Sequence, residues 1–336
     1  MSTLTKILVN KDISCTSIWF MRQAGRYLPE FKKIRSQNTN FINLCLDSDL
    51  SSEITLQPIT RFNLDSAIIF SDILMVPYAL GQEVEFIKND GPNLSKFDQK
   101  KFLENNKTNF IKKLTPVYKA IKKTRQKLQK DKSLISFVGA PWTLLIYMLG
   151  LKKGKNEVNL IKVEELKVEI NMIIDKLIEY ICIHIEKQIE AGADVVQIFD
   201  SWAGLIPPEK LQTFCYNPNY KIVSFCKKKN IPTICFPRGL AKNYFNFNEI
   251  VKPDGINLDY DLDPVWAKQK LTNVTLQGGL NPQALLKPEE EMYNEAKKYL
   301  DTFKNVPYIF NLGHGLVPET KPDKVEKLIK FVRKYK

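Results

Sequence analysis

The chain has 336 residues, of which 44% are hydrophobic, 11% aromatic and 26% charged, a balance that suits a globular core and excludes a disordered chain. Lys and Arg outnumber Asp and Glu by 50 to 37 for a net charge of +13, but the excess is mostly Lys in short runs such as Lys112-Lys113, Lys122-Lys123 and Lys227 to Lys229. Such runs read as solvated helix faces, so neither a nucleic-acid partner nor a membrane is expected. Apolar stretches end well before the roughly 20 residues of a membrane span. Met1 to Lys6 carries no apolar signal core, which makes a cytoplasmic location the expectation.

In chain order, eight short apolar runs are expected as strands: Ser17 to Phe20, Ser66 to Phe70, Leu134 to Val138, Asp194 to Phe199, Pro232 to Phe236, Gly255 to Leu258, Val274 to Gln277 and Tyr308 to Leu312. Between them lie helical patterns. The clearest are Lys162 to Gln188, where Leu166, Ile170, Ile173, Ile174, Leu177 and Ile181 recur at i, i+3, i+4 spacing, then Pro208 to Lys227 and Lys321 to Tyr335. The long spacer from Gly81 to Lys132 carries the turn-rich Lys88-Asn89-Asp90-Gly91-Pro92 and is expected to make an excursion before its helix. Alternating apolar strands and helices imply a parallel sheet covered on both faces. No Gly-x-Gly-x-x-Gly follows an early strand, which disfavours a dinucleotide-binding open sheet. The expectation is a (β/α)8 TIM-type barrel, one domain spanning residues 1–336, with its active site at the C-terminal face of the strands.

Polar residues gather where that face would be: Arg22 after the first strand, Asp72 after the second, Asp200 and Ser201 after the fourth, Arg238 after the fifth, Asp259 after the sixth and His314 after the eighth. The chain has only seven arginines, and Arg22, Arg26 and Arg35 fall within fourteen residues. Arg22 and Arg26, four apart around Gly25, can aim two guanidinium forks at one anion, though internal salt bridges would use the same pair. Asp72 has apolar neighbours on both sides and must be hydrogen-bonded or paired across the fold; it either caps a helix or serves a site. His314 lies between Gly313 and Gly315, which let backbone approach a ligand. His184, within an apolar helix, reads as a packed histidine. Tyr147 and Ser201 carry little signal alone, and Gly278-Gly279 is a weak phosphate cradle without a helix-opening Lys or Ser. Six scattered cysteines without Cys-x-x-Cys, only two histidines and no nucleotide or nucleophile motif leave carboxylate, guanidinium, phenol and imidazole as the chemistry, with no metal and no cofactor expected.

Taken together, Trp19-Phe20-Met21-Arg22-Gln23-Ala24-Gly25-Arg26-Tyr27-Leu28-Pro29-Glu30-Phe31 and Gly139-Ala140-Pro141-Trp142-Thr143-Leu144 resemble the two signatures of the uroporphyrinogen decarboxylase family. The likeness continues through Leu56-Gln57-Pro58, Ala67 to Leu74, Phe199 to Gly204, Gln277 to Pro282 and Asn311 to Leu316, essentially the whole chain. It implies a distorted barrel, a homodimer, and cofactor-free removal of four acetate carboxylates from uroporphyrinogen III, a tetrapyrrole, to give coproporphyrinogen III. By position it implies that Arg22, Arg26 and Arg35 bind substrate carboxylates, that Gln23, Ala24 and Gly25 line the same pocket, and that Asp72 faces the pyrrole N–H groups. Tyr147, Ser201 and His314 would place the reacting acetate, with Asp72, Arg22, Tyr147 and His314 catalytic. Losing CO2 needs an electron sink, supplied by protonating a pyrrole carbon, and Asp72 in a dry pocket would stabilise the resulting cation. The proton donor is open between Arg22, a route through Asp72, and water. A methyltransferase of the wider superfamily would need a His-x-Cys zinc motif, and neither histidine is followed two residues later by cysteine.

Overall fold

Each expected apolar run contributes one strand: β1 Ser17–Ile18, β2 Ser66–Ile68, β3 Ser133–Gly139, β4 Val195–Asp200, β5 Thr233–Pro237, β6 Gly255–Leu258, β7 Thr275–Gly278 and β8 Tyr308–Phe310. The structure is a computed structural model that describes residues 1–87, 91–153, 157–165 and 167–335. The strands run in the spatial order β1-β8-β7-β6-β5-β4-β3-β2, every ladder parallel, as a (β/α)8 barrel requires. Among the described residues, only the β1–β2 seam of the barrel lacks a ladder. Asp65 bridges it, accepting from Ile18 N at 2.7 Å and returning its own N–H to Ile18 O at 3.1 Å.

That contact has counterparts around the barrel. Asp194 accepts from Leu134 N at 2.8 Å and Asp254 from Thr233 N at 2.8 Å. Acids directly before β2, β4 and β6 thus satisfy N–H groups at the starts of β1, β3 and β5, which would otherwise lack an acceptor at the barrel rim.

The N-terminal mouth is closed by an element the periodicity did not announce. Helix Thr3–Asn10, capped by Ser2, buries Leu4, Ile7 and Leu8 against Trp19, Ile135, Val195, Ile234 and Ile309. Each of these three side chains is worth about 1.5 to 3 kcal/mol once fully buried. Lys11 ties the end of the plug to Asp254 O at 2.7 Å. Within the barrel, Trp19 Nε1 donates to Gln277 Oε1 at 2.9 Å, and Gln277 Nε2 donates to Asn257 at 2.9 Å and Gln197 at 3.2 Å.

Outside the barrel, the long helix is described as Leu160–Glu165 and Lys167–Glu190, with Ile170, Ile173, Ile174, Leu177 and Ile181 buried as the spacing predicts; Leu166 lies outside the described residues. The spacer excursion is a hairpin of Val84–Ile87 with Gly91–Leu94, followed by helices Gln99–Glu104 and Lys107–Lys127; Lys88, Asn89 and Asp90 lie outside the described residues. The segment expected as one helix from Pro208 to Lys227 departs from regularity: a 3-10 turn at Pro208–Lys210 and a π turn at Gln212–Tyr216 precede helix Asn217–Lys228. Pro218 has no N–H for an i→i−4 bond to Phe214, and the widened turn is closed by Asn217 N to Gln212 O instead. No helix among the described residues is long and apolar enough to cross a membrane.

Candidate active site

With one mouth plugged, the open end is built from the residues that follow the strands. After β1, Met21 is pinned to the far end of the chain, donating to Asn311 Oδ1 at 3.1 Å and accepting from Leu316 N at 2.9 Å. Arg22 then adopts a left-handed conformation, φ +60°, which costs a side-chain-bearing residue about 1 kcal/mol. The bend lays its side chain across Gly315, where a Cβ would fall 2.4 Å from Arg22 Cδ. Only glycine leaves that groove open.

Gln23 closes the bend with its N–H on Phe20 O at 3.0 Å, but its fully buried side chain does not line a pocket. It accepts from Phe20 N at 3.0 Å and donates to Ser66 O at 3.0 Å, sealing the β1–β2 seam. The main-chain N–H groups of Ala24, Gly25 and Arg26 bond to nothing among the described residues, the makings of an anion nest. Arg22 and Arg26 form no ion pair or side-chain hydrogen bond among the described residues either, so the salt-bridge reading of the pair fails.

Asp72 serves both readings left open by its sequence. Its Oδ1 accepts from Leu74 N at 2.9 Å and shapes the turn into helix Met75–Ala79, whereas Oδ2 has no partner among the described residues. Water still reaches part of the carboxyl, yet protein encloses it, and that burial pushes its pKa up to about 6 against the pull of the Leu74 N–H and Arg22. Arg22 is itself shifted down, first by burial, then by Arg26, with Asp72 and Tyr147 acting the other way. It remains open to solvent at the mouth and keeps its charge.

Tyr147, on helix Pro141–Met148 after β3, is half-buried with its phenol raised by burial, and it meets Trp202 edge-on at 6.0 Å. His314 accepts from Gly315 N on Nδ1 at 2.7 Å. Burial, then Arg22 and Arg238, push its imidazole down to about 4, so at neutral pH it is uncharged, with its proton on Nε2 as a donor. Ser201 follows β4 directly, half-buried. Its neighbour Asp200 points into the wall instead, accepting from Thr143 Oγ1 at 2.7 Å and Asn219 at 3.2 Å, and Thr143 in turn accepts from Trp202 N at 3.2 Å.

Other positions fall away from this cluster. Arg35 sits on helix Pro29–Gln37, donates to Asn38 O and lies over the Phe41 ring at 5.9 Å; Cys45 feels both it and Asp72. His184 is packed, its Nδ1 3.0 Å from Tyr118 OH. Gly279 is no cradle: a Cβ there would fall 2.3 Å from the Tyr299 ring. Surface hollows beside Lys101 and Lys113, and beside Asp175 and Tyr220, lie away from the strand ends. Two groups at the mouth had no assigned role in the sequence, Arg238 and Trp202. Position at a strand end was the available signal for both. Among the described residues, no group of three or more His, Cys, Asp or Glu could hold a metal ion.

A plugged (β/α)8 barrel whose open mouth gathers guanidinium groups around a raised carboxyl defines an enzyme built for an anionic substrate. The model of the uroporphyrinogen decarboxylase (URO-D) family matches residues 1–335. A relative named uroporphyrinogen decarboxylase from Orientia tsutsugamushi (strain Ikeda) is 42% identical over 100% of this chain and 99% of its own length. Another of that name, from Rickettsia bellii (strain RML369-C), is 44% identical over 95% of this chain and 94% of its own. The chain belongs to the uroporphyrinogen decarboxylase family. Among solved structures it is similar to a methyltransferase from Methanosarcina mazei, with TM-score 0.80, 17% identity and coverage of 98% and 97%, a likeness of fold alone. A B12-independent methionine synthase from Shewanella sp. W3-18-1 is similar at TM-score 0.59 and 10% identity, covering 86% and 88%.

Proposed function

We propose that this chain, a carboxy-lyase of porphyrin biosynthesis, converts the four acetate side chains of uroporphyrinogen III to methyl groups and releases coproporphyrinogen III. Arg22 and Arg26, with the free amides of Ala24, Gly25 and Arg26, hold carboxylates at the rim. Protonation of the ring carbon next to the one that bears an acetate makes the ring cationic. The bond to the carboxylate carbon then breaks and CO2 leaves; the electron pair left behind forms an exocyclic methylene and neutralises the ring, and the methylene takes a proton to become methyl as the ring carbon gives up the proton it had gained. Asp72, ionised, faces the cation, and Tyr147, Ser201 and the Nε2–H of His314 orient the departing acetate. At a pKa of about 4, His314 is a hydrogen-bond donor rather than the acid. Arg22 remains a candidate acid alongside Asp72 and water. Arg35 takes a further substrate carboxylate, and the side chain of Gln23 supports from behind through the seam.

The observation that carries this reading is Asp72: a carboxyl with one free oxygen and a pKa near neutrality, beside Arg22 at the open mouth. We further propose that residues 1–336 act as one domain and that the protein is a cytoplasmic homodimer, readings supported by the family match across residues 1–335. Purified protein given reduced uroporphyrinogen without air, and with no added metal or cofactor, is expected to yield porphyrinogens with seven down to four carboxylates. Recovery of intact substrate alone would refute the assignment.

A further inference from the structure

The wall formed by the ends of β4 and β5 carries a donor that the reaction scheme above does not use. Arg238 follows β5, half-buried, with its main chain clamped on both sides: its N–H donates to Asp200 O at 3.1 Å and its carbonyl accepts from Gly204 N at 2.8 Å. Gly204 and Gly239 then pack backbone to backbone, so closely that a Cβ at Gly204 would fall 2.5 Å from Gly239 O. The loop that presents Arg238 is therefore rigid, a condition for recognition rather than for a wandering surface charge.

The guanidinium has no ion pair or hydrogen bond among the described residues. The nearest acid in charge terms, Asp259, is already engaged: its Oδ2 accepts from Gly239 N at 2.7 Å and Tyr244 OH at 2.9 Å. The field of Arg238 reaches Arg22, Tyr147 and His314, which puts it on the same mouth. Arg238 follows β5, which in the strand order lies opposite β1 and well round the barrel from β2, so it stands across the mouth from Arg22 and away from Asp72. Beside it on this wall, Trp202 is 9% exposed and packs edge-on against Tyr147 at 6.0 Å.

We propose that Arg238 is a second carboxylate subsite of the mouth, across from the Arg22–Arg26 clamp, which takes a substrate carboxylate that is retained in the product. The proposal rests on the polycarboxylated tetrapyrrole reading. Because the bound carboxylate is not the one that leaves, losing Arg238 weakens octacarboxylate and tetracarboxylate ligands alike. The air-stable octacarboxylate and tetracarboxylate porphyrins serve as probes, titrated by fluorescence against wild type, R238Q and R238K, with anaerobic turnover measured in parallel. For R238Q, the dissociation constants of both probes are expected to rise roughly tenfold, the scale of one charge-assisted hydrogen bond, with kcat within about threefold of wild type. R238K, which keeps the charge but loses the fork, is expected to fall between, and serves in its place if R238Q does not fold. Dissociation constants of R238Q and R238K equal to wild type would overturn the subsite, and so would a loss confined to the octacarboxylate. Failure of the functional reading looks different: wild type itself forms no product.

Discussion

At the N-terminal mouth of the barrel, Asp65, Asp194 and Asp254 each accept a main-chain N–H from the preceding strand, and Arg333 and Arg125 pair with the first two at 3.0 and 2.8 Å. At the C-terminal mouth, Arg22, Arg26 and Arg238 have no ion pair among the described residues, and Asp72 keeps one oxygen free. The same residue types thus close the fold at one end and stay available at the other. Like charges held together, a strained arginine and a carboxyl raised toward neutrality all cost stability, and the plugged end is where the barrel offsets them.

The sharpest way to break this comparison is at Asp72. Asp72→Asn keeps the acceptor for Leu74 N and removes the charge; turnover is expected to fall roughly 10^3-fold, the scale of deleting one well-placed electrostatic group. The same variant is expected to melt higher than wild type above pH 6. Because burial raises the folded pKa to about 6, the folded chain binds more protons than the unfolded chain between about pH 4 and 6, and stability from this group is lost as pH rises through 6. Calorimetry at pH 5 and pH 8 reads the sign: a lower melting temperature for the variant at pH 8 contradicts the trade-off.

Gly315→Ala comes next. Its Cβ displaces the aliphatic part of Arg22 rather than backbone, so kcat/KM is expected to drop about 10^2-fold while the melting temperature stays nearly constant. Near-normal kinetics would show that Arg22 works from more than one rotamer. A third expectation concerns pH: kcat/KM should fall below about pH 6 as Asp72 takes up a proton, and His314→Gln, though slower, should retain that acid limb because His314 titrates near 4. Loss of the limb in His314→Gln would move the titration to the imidazole. The smallest effect on activity belongs to the other mouth. Asp254→Ala strands the Thr233 N–H and is expected to cost about 1 to 3 kcal/mol in denaturant unfolding, with kcat per folded molecule unchanged. A kinetic defect there would dissolve the division between the two ends.

The barrel was readable because buried parallel strands must be apolar throughout, and because strand ends in this architecture converge on one face; Arg22, Asp72, Ser201 and His314 could be aligned from spacing alone. Helix Thr3–Asn10 was not readable. It is short, and its role arises from filling the barrel floor, a contact between residues as far apart as Ile7 and Thr275, 268 positions. Gln23 shows a related limit. Its neighbours Arg22 and Arg26 face the mouth, yet one residue of turn rotates its amide into the seam, which depends on where Ser66 lies. Arg238 was visible as a strand-end residue, but nothing local reveals that Asp259 already has other partners.

The crossing of Arg22 over Gly315, with Met21 stitched to Asn311 and Leu316, also bears on how the protein is made. The clamp leaves the ribosome before its support, which follows nearly 300 residues later. Chains interrupted during synthesis therefore carry the signature arginines without a groove to hold them, and anion capture is expected to mature only when the final strand has docked, a late event in a fold of such long-range contacts.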